Sequence, residues 1–164
     1  VLKTTKKLNL LSEEGFNMTH HPGSVDSAAI HILLVEDNPD DAVLLRRTFL
    51  RAGRESWKLA QVERLDEAIS ICKEYQSQSG QNFDVILLDL RLPDSTGLET
   101  VVQFRQAVPD VPVVVISTID DEDLALASIR AGVQDYLSKD DITIQQLLRS
   151  VKFAIERNAG LSQT

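Results

Sequence analysis

The chain has 164 residues, is 43% hydrophobic and 26% charged, and carries a formal net charge of −8. That is enough for one domain with a real core, while no apolar run reaches the roughly 20 residues of a spanning helix and no signal-peptide pattern opens the sequence. The three lysines of residues 1–30 balance Asp26 and two glutamates, so the negative excess belongs to residues 31–164 and argues against wrapping nucleic acid or lying on an anionic membrane.

Residues 1–29 show no clear periodicity. Lys3-Thr4-Thr5-Lys6-Lys7 and His20-His21-Pro22-Gly23-Ser24 read as a leader, a linker or a foreign segment, with Met18 as a candidate natural start. The adjacent His20 and His21 read as incidental rather than as metal ligands. Ile32-Leu33-Leu34-Val35 is a short, strand-like apolar run that ends in Glu36-Asp37. Asn38-Pro39-Asp40-Asp41 then starts a helix, with Asn38 as N-cap, Pro39 at the first helical position and two acids facing the positive helix end. Ala42, Leu45, Phe49 and Ala52 recur at helical spacing, and Gly53 suits the stop.

Trp57 to Val62 reads as a second strand, and Leu65, Ala68, Ile69, Cys72 and Tyr75 as the buried stripe of a second helix. Cys72, the single cysteine, reads as a core residue rather than a reactive thiol. A lone cysteine excludes an internal disulfide and fits a reducing, cytoplasmic location. After the polar loop Gln76 to Asn82, Val85 to Leu88 is a continuous apolar run, short enough for a strand buried on both faces. Asp89 stands where it ends, and Pro93, Asp94, Ser95 and Gly97 break the chain into a loop.

Leu98, Val101, Val102 and Arg105 predict a third helix, closed by Val108-Pro109. Val111 to Ile116 predicts a fourth strand ending in Ser117-Thr118. Asp120 is expected to cap a fourth helix, with Leu124, Ala127 and Ala131 on its face and Gly132 at its end. The run Asp120-Asp121-Glu122-Asp123 suits a helix first turn better than a metal site. Asp135-Tyr136-Leu137 is a short fifth strand ending near Lys139. Thr143 and Gln146 make a capping box for the last helix, whose core face is Ile144, Leu147, Leu148, Val151 and Ala154. His31, alone at a strand start, receives no role.

This order is β-α repeated, which implies an α/β fold: a parallel sheet with helices on both faces and right-handed crossovers. In such sheets chemistry belongs at the carboxyl ends of the strands. Glu36-Asp37, Asp89, Ser117-Thr118 and Lys139 would then share one edge. Clustered carboxylates repel unless a cation joins them, and hard oxygen ligands with room for water suit Mg²⁺. A carboxylate can also attack phosphorus to form an aspartyl-phosphate. Such a transfer needs a metal, a lysine and a hydrogen-bond donor; Mg²⁺, Lys139 and Ser117 would supply them.

These residues resemble the receiver domain of two-component response regulators. The resemblance rests on Val35-Glu36-Asp37-Asn38, on Leu88-Asp89-Leu90-Arg91-Leu92-Pro93 with Gly97, on Val115-Ile116-Ser117-Thr118 and on Tyr136-Leu137-Ser138-Lys139, in that order. It implies a flavodoxin-like (CheY-like), doubly wound, five-stranded parallel sheet of order 2-1-3-4-5. It also implies Asp89 as phosphoacceptor, and Glu36 and Asp37 as holders of Mg²⁺ (or Mn²⁺), helped by Asp89 and the backbone carbonyl of Arg91. Ser117 matches the switch hydroxyl, Lys139 the phosphate-binding lysine and Tyr136 the aromatic that changes rotamer. Arg91 and Ile119 stand where receivers vary to tune hydrolysis. With Thr118 they flank the approach of water, and slow loss of the phosphoryl group over minutes or longer is expected.

Three positions depart from the family pattern. Ser117 stands where threonine is commoner, and Thr118 where a small residue is usual. Asp140 follows Lys139 where the family has a proline after a cis bond. Without proline a cis bond costs roughly 2.5–4 kcal/mol, so a trans bond or an altered loop is expected.

The implied function is a phosphorylation-dependent signalling switch, not an enzyme beyond assisting its own phosphorylation and dephosphorylation. The donor would be a histidine kinase, a histidine phosphotransfer protein or a small phosphodonor, and the output a partner protein. A homodimer stays open; neither direct nucleic-acid binding nor a membrane is expected. A phosphatase with an aspartyl-phosphate intermediate is disfavoured because Arg91 stands where an Asp-x-Asp pair would put its second acid. Flavin binding is disfavoured because Glu36-Asp37 would repel a phosphate after the first strand. A receiver-like interaction module that is never phosphorylated is disfavoured by the intact acids and Lys139. The receiver is expected over residues 30–158, with residues 1–29 ahead and a tail at 159–164. A stand-alone receiver and a fragment of a larger chain, such as a hybrid kinase, both stay open.

Overall fold

A computed structural model describes residues 29–52 and 56–162. Expectations on residues 1–28, among them Met18, His20 and His21, and on Gly53 and residues 163–164 lie outside the described residues. Five parallel strands form one sheet: β1 (Ile30–Val35), β2 (Trp57–Val62), β3 (Val85–Leu88), β4 (Val113–Ser117) and β5 (Asp135–Ser138). Their order is β2-β1-β3-β4-β5, as the resemblance implied. The helices between and after them are α1 (Pro39–Arg51), α2 (Leu65–Ser79), α3 (Leu98–Ala107), α4 (Glu122–Arg130) and α5 (Ile144–Ser162). α5 continues past Asn158 to Ser162. None of the described helices is long and apolar enough to cross a membrane.

Successive strand residues face opposite sides of the sheet. Leu33, Val35, Ile86, Leu88, Val113 and Val115 pack with Ala68 and Ile71 of α2 and with Val101 and Phe104 of α3. Ile32, Leu34, Val85, Leu87, Val114 and Ile116 pack with Leu45 and Phe49 of α1 and with Leu147 and Val151 of α5. Both faces are covered, so the strands read as unbroken apolar runs rather than as alternation.

Two helix starts follow the local chemistry that the sequence predicts. Asn38 Oδ1 accepts the amides of Asp40 at 2.9 Å and Asp41 at 3.2 Å. Thr143 and Gln146 close the expected reciprocal box, with bonds of 3.0 and 3.1 Å. α2 is held from a distance. The Arg64 side chain makes no cap bond. Instead the Leu65 amide donates to Asp94 Oδ1 and the Asp66 amide to Asp94 Oδ2, each at 2.9 Å. Burial pushes the Asp94 carboxyl up, but those amides outweigh it and hold it below the usual carboxylate range.

Five expectations are corrected. α2 takes in Gln76 to Ser79, expected as loop, before Gly80 stops it in a left-handed conformation. The cap of α4 is Asp121, not Asp120: its extended backbone lets Oδ1 accept the amides of Asp123 and Leu124. α3 is rotated so that Thr100, Val101 and Phe104 are buried, while Leu98 is exposed and Val102 half-buried. The largest side chain takes the core, and Thr100 is tolerated there because its hydroxyl bonds Ser95 Oγ at 2.6 Å. On α2, Ile71 is buried and Ile69 only partly so. On α5, Ile144 is exposed in the first turn, beyond the sheet's cover.

Candidate functional site

The sheet register brings the strand-end residues together. Val35 pairs with Leu88, and Leu88 with Val115. The ladder then runs past the strand ends: the Glu36 amide donates to Val62 O at 3.0 Å, the Asp89 amide to Val35 O at 3.0 Å, and the Lys139 amide to Ser117 O at 2.9 Å. The backbones of the three expected charged positions are therefore fixed before their side chains are considered. The loop after Asp89 is closed by a two-residue antiparallel pair, Arg91–Leu92 against Ser95–Thr96. Gly97 ends it at φ 70°, ψ −151°, a conformation open in practice only to glycine.

Lys139 is the hub. Its ammonium donates to Glu36 Oε2, to Asp41 Oδ2 at 2.9 Å and to Asp89 Oδ2 at 3.0 Å. An ammonium has three N–H donors, so all three are taken by carboxylates. Burial alone would lower the Lys139 ammonium, but the three carboxylates outweigh it and hold it above the usual lysine range. Glu36 and Asp89 are buried. Glu36 Oε1 accepts the Asn38 amide at 3.0 Å, and Asp89 Oδ1 accepts the Arg91 amide at 3.1 Å. Burial, with Asp89 adding to it, raises the Glu36 carboxyl to about 7 despite the pull of Lys139 and the Asn38 amide. No cis peptide bond occurs among the described residues, so Lys139-Asp140 is trans.

Glu36, Asp37 and Asp89 each offer an oxygen, all within 4.8 Å of one another, with Asp37 on the exposed side. Three hard oxygen donors, open to water on one side and with no nitrogen or sulfur among them, fit a Mg²⁺ or Mn²⁺ ion. The other candidates form a second group. Ser117 is fully buried, and its Oγ accepts the Ile119 amide at 3.1 Å. The Tyr136 hydroxyl donates to the Ile119 carbonyl at 2.8 Å. The two expected switch residues thus hold the two ends of one residue. Ile119 itself packs partly on the core, while Thr118 and Arg91 are exposed. Cys72 is buried, which pushes its thiol up to about 12 and makes it unreactive.

The sequence reading missed Asp41 as a partner of Lys139 and Asp94 as the cap of α2. Asp41 was legible only as an acid in a helix first turn; its position between Glu36-Asp37 and the apolar stripe of α1 was the available signal.

The family model of the response regulator receiver domain matches residues 32–152. The swarming motility regulation protein RssB of Serratia marcescens is 33% identical over 136 residues, 82% of this chain and 58% of RssB. The phosphorylated cyanobacterial phytochrome response regulator RcpA is 30% identical with a TM-score of 0.61, over 77% of this chain and 91% of that one. The Mn²⁺-bound response regulator Rcp1 is 26% identical with a TM-score of 0.59, over 76% and 91%. The chain spans less than two thirds of the curated relative RssB's own length.

Proposed function

Because this chain belongs to the response regulator receiver domain family, we propose that it is a phosphoacceptor switch of a two-component phosphorelay. Asp89 takes a phosphoryl group from a histidine kinase or histidine phosphotransfer protein, and the new charge changes a surface that a partner protein reads. The observation that carries this reading is the bond from the Lys139 ammonium to buried Asp89 and Glu36. A carboxylate alone at a strand end would mean little; one held beside a cation in a buried carboxylate group is equipped for anion chemistry.

In the transfer, an Asp89 carboxylate oxygen forms the new P–O bond as the donor's bond to phosphorus breaks, in line with it. Lys139 meets the charge on the phosphoryl oxygens. A Mg²⁺ or Mn²⁺ ion held by Glu36, Asp37, Asp89 and the Arg91 carbonyl would supply further positive charge there. The Arg91 amide orients Asp89 through Oδ1. Ser117, drawn to a phosphoryl oxygen, gives up the Ile119 amide, and Tyr136 follows through the Ile119 carbonyl. That transmits the event to the loop before α4. The chain assists its own phosphorylation and dephosphorylation and acts on no other substrate. A cytoplasmic location goes with this reading, since its single cysteine is a buried thiol.

Incubation with acetyl phosphate and Mg²⁺, followed by intact mass, tests the reading. Wild type should gain one phosphoryl group and Asp89→Asn none; a stable phospho-mass on the variant would sink the assignment. After removal of the donor the group should persist for minutes or longer, because exposed Arg91 can fold over phosphate oxygens and Ile119 cannot orient a water. Decay within seconds, or decay unchanged in both Arg91→Ala and Ile119→Asn, would refute that cause.

A further inference from the structure

We propose that Asp41 is a positioning residue that holds Lys139 back from the phosphoryl group, an acidic latch released when the group arrives. The proposal rests on the phosphoacceptor reading above. All three N–H donors of Lys139 are bonded to carboxylates. A phosphoryl oxygen can bond this ammonium only if one of them lets go.

The three partners differ in what draws them off. Glu36 and Asp89 are buried; a metal held by them with Asp37 would take both from Lys139, and Asp89 gives up its carboxylate charge on becoming the acyl phosphate. The Asp41 side chain is 35% exposed. With Lys139 it lines a groove of about 250 Å³ between α1 and the start of α5, so a released Asp41 carboxylate meets water. It also lies in the first turn of α1, where the helix end favours a negative charge. Asp41 lies outside the three-carboxylate group that fits a metal, so an ion there would not occupy it. Its charge also repels the incoming phosphoryl oxygens. Release of the latch and relief of that repulsion act in the same direction.

Neutralising Asp41 should therefore improve anion binding, a gain that a merely damaged fold would not give. The probe is beryllofluoride, a phosphoryl mimic, titrated in saturating Mg²⁺. Asp41→Asn should bind it about three- to tenfold more tightly than wild type, the scale of one partly exposed ion pair. Asp41→Glu should return the affinity to near that of wild type. Asp40→Asn is the control: it removes the same charge from the same helix turn, and the Asp40 amide only completes the Asn38 cap. It should leave binding unchanged. Equal or weaker binding by Asp41→Asn, or an equal gain in Asp40→Asn, would overturn the latch.

A second measurement needs no metal. Thermal unfolding in chelator of Asp41→Asn, Lys139→Met and the double variant should give non-additive shifts; additive shifts would overturn the contact. Wild type that takes up no beryllofluoride while this cycle still shows coupling would sink the phosphoacceptor reading and the latch with it. Competent wild type with an additive cycle would sink the latch alone.

Discussion

The two sides of the sheet are anchored unequally. Beside β1 and β3, α1 buries Ala42, Leu45 and Phe49, and α2 buries Leu65, Ala68, Ile71, Cys72 and Tyr75. At the β5 edge, α4 buries only Ser128, and every residue of β5 is half-buried. The free energy of local opening follows buried apolar contact. Glu36, Asp89 and Ser117 thus stand at the ends of well-buried strands, whereas Ile119 and Tyr136 join them to the part that opens at least cost. A firmly held carboxylate group beside a loosely held helix is what the proposed switch would need, since a small local event must be amplified.

The sharpest way to break this contrast is to remove core volume on each side. Leu87→Ala in fully buried β3 should cost about 3 kcal/mol or more, as buried leucines do. Leu124→Ala on α4, only partly buried against the core, should cost about 1.5 kcal/mol. Urea unfolding of both variants reads the difference, and equal losses would abolish it.

A second test concerns the charge stored in the rigid half. The folded Glu36 carboxyl, raised from 4.5 to about 7, binds its proton more tightly than in the unfolded chain. Its contribution is thus complete below about pH 4.5 and is lost as pH rises to about 7. In chelator, Glu36→Gln should gain steadily on wild type as pH rises from 4.5 to 7.5, by up to a few kcal/mol. A constant gap between the two proteins across that range would contradict the burial account.

The smallest effect expected is from Tyr136→Phe, which removes the bond to the Ile119 carbonyl and about 1 kcal/mol at most. Amide exchange should quicken in α4 while β1 and β3 keep their rates. Uniform quickening would mean that the two sides are not separable.

The fold was legible because its signals are local. Apolar runs of strand length, Asn38 before Pro39, and Thr143 with Gln146 are each read within a few residues. The principal site was legible because β-α alternation places strand ends on one edge, so Asp37, Asp89 and Lys139 could be grouped before any distance was known. What stayed hidden depends on pairs far apart in sequence. Asp41 meets Lys139 across 98 positions and Asp94 meets Leu65 across 29, and no local pattern names the partner of either. The buried face of α3 was misread because Leu98 and Val102 look like core while Thr100 does not. Burial of Thr100 depends on Ser95, a loop residue whose position only the folded chain fixes.

The Asp94 cap also sets an order of assembly. A helix of the length of α2 is marginal alone in water, and its first amides have no partner within the helix. The chain up to Gly80 already contains β1, α1, β2 and α2, yet the carboxylate that closes α2 comes later, just past Asp89. A chain emerging from its N-terminus therefore carries α2 uncapped until β3 and the loop behind it have been made. The segment that bears Asp89 is also the clasp that fastens the segment before it.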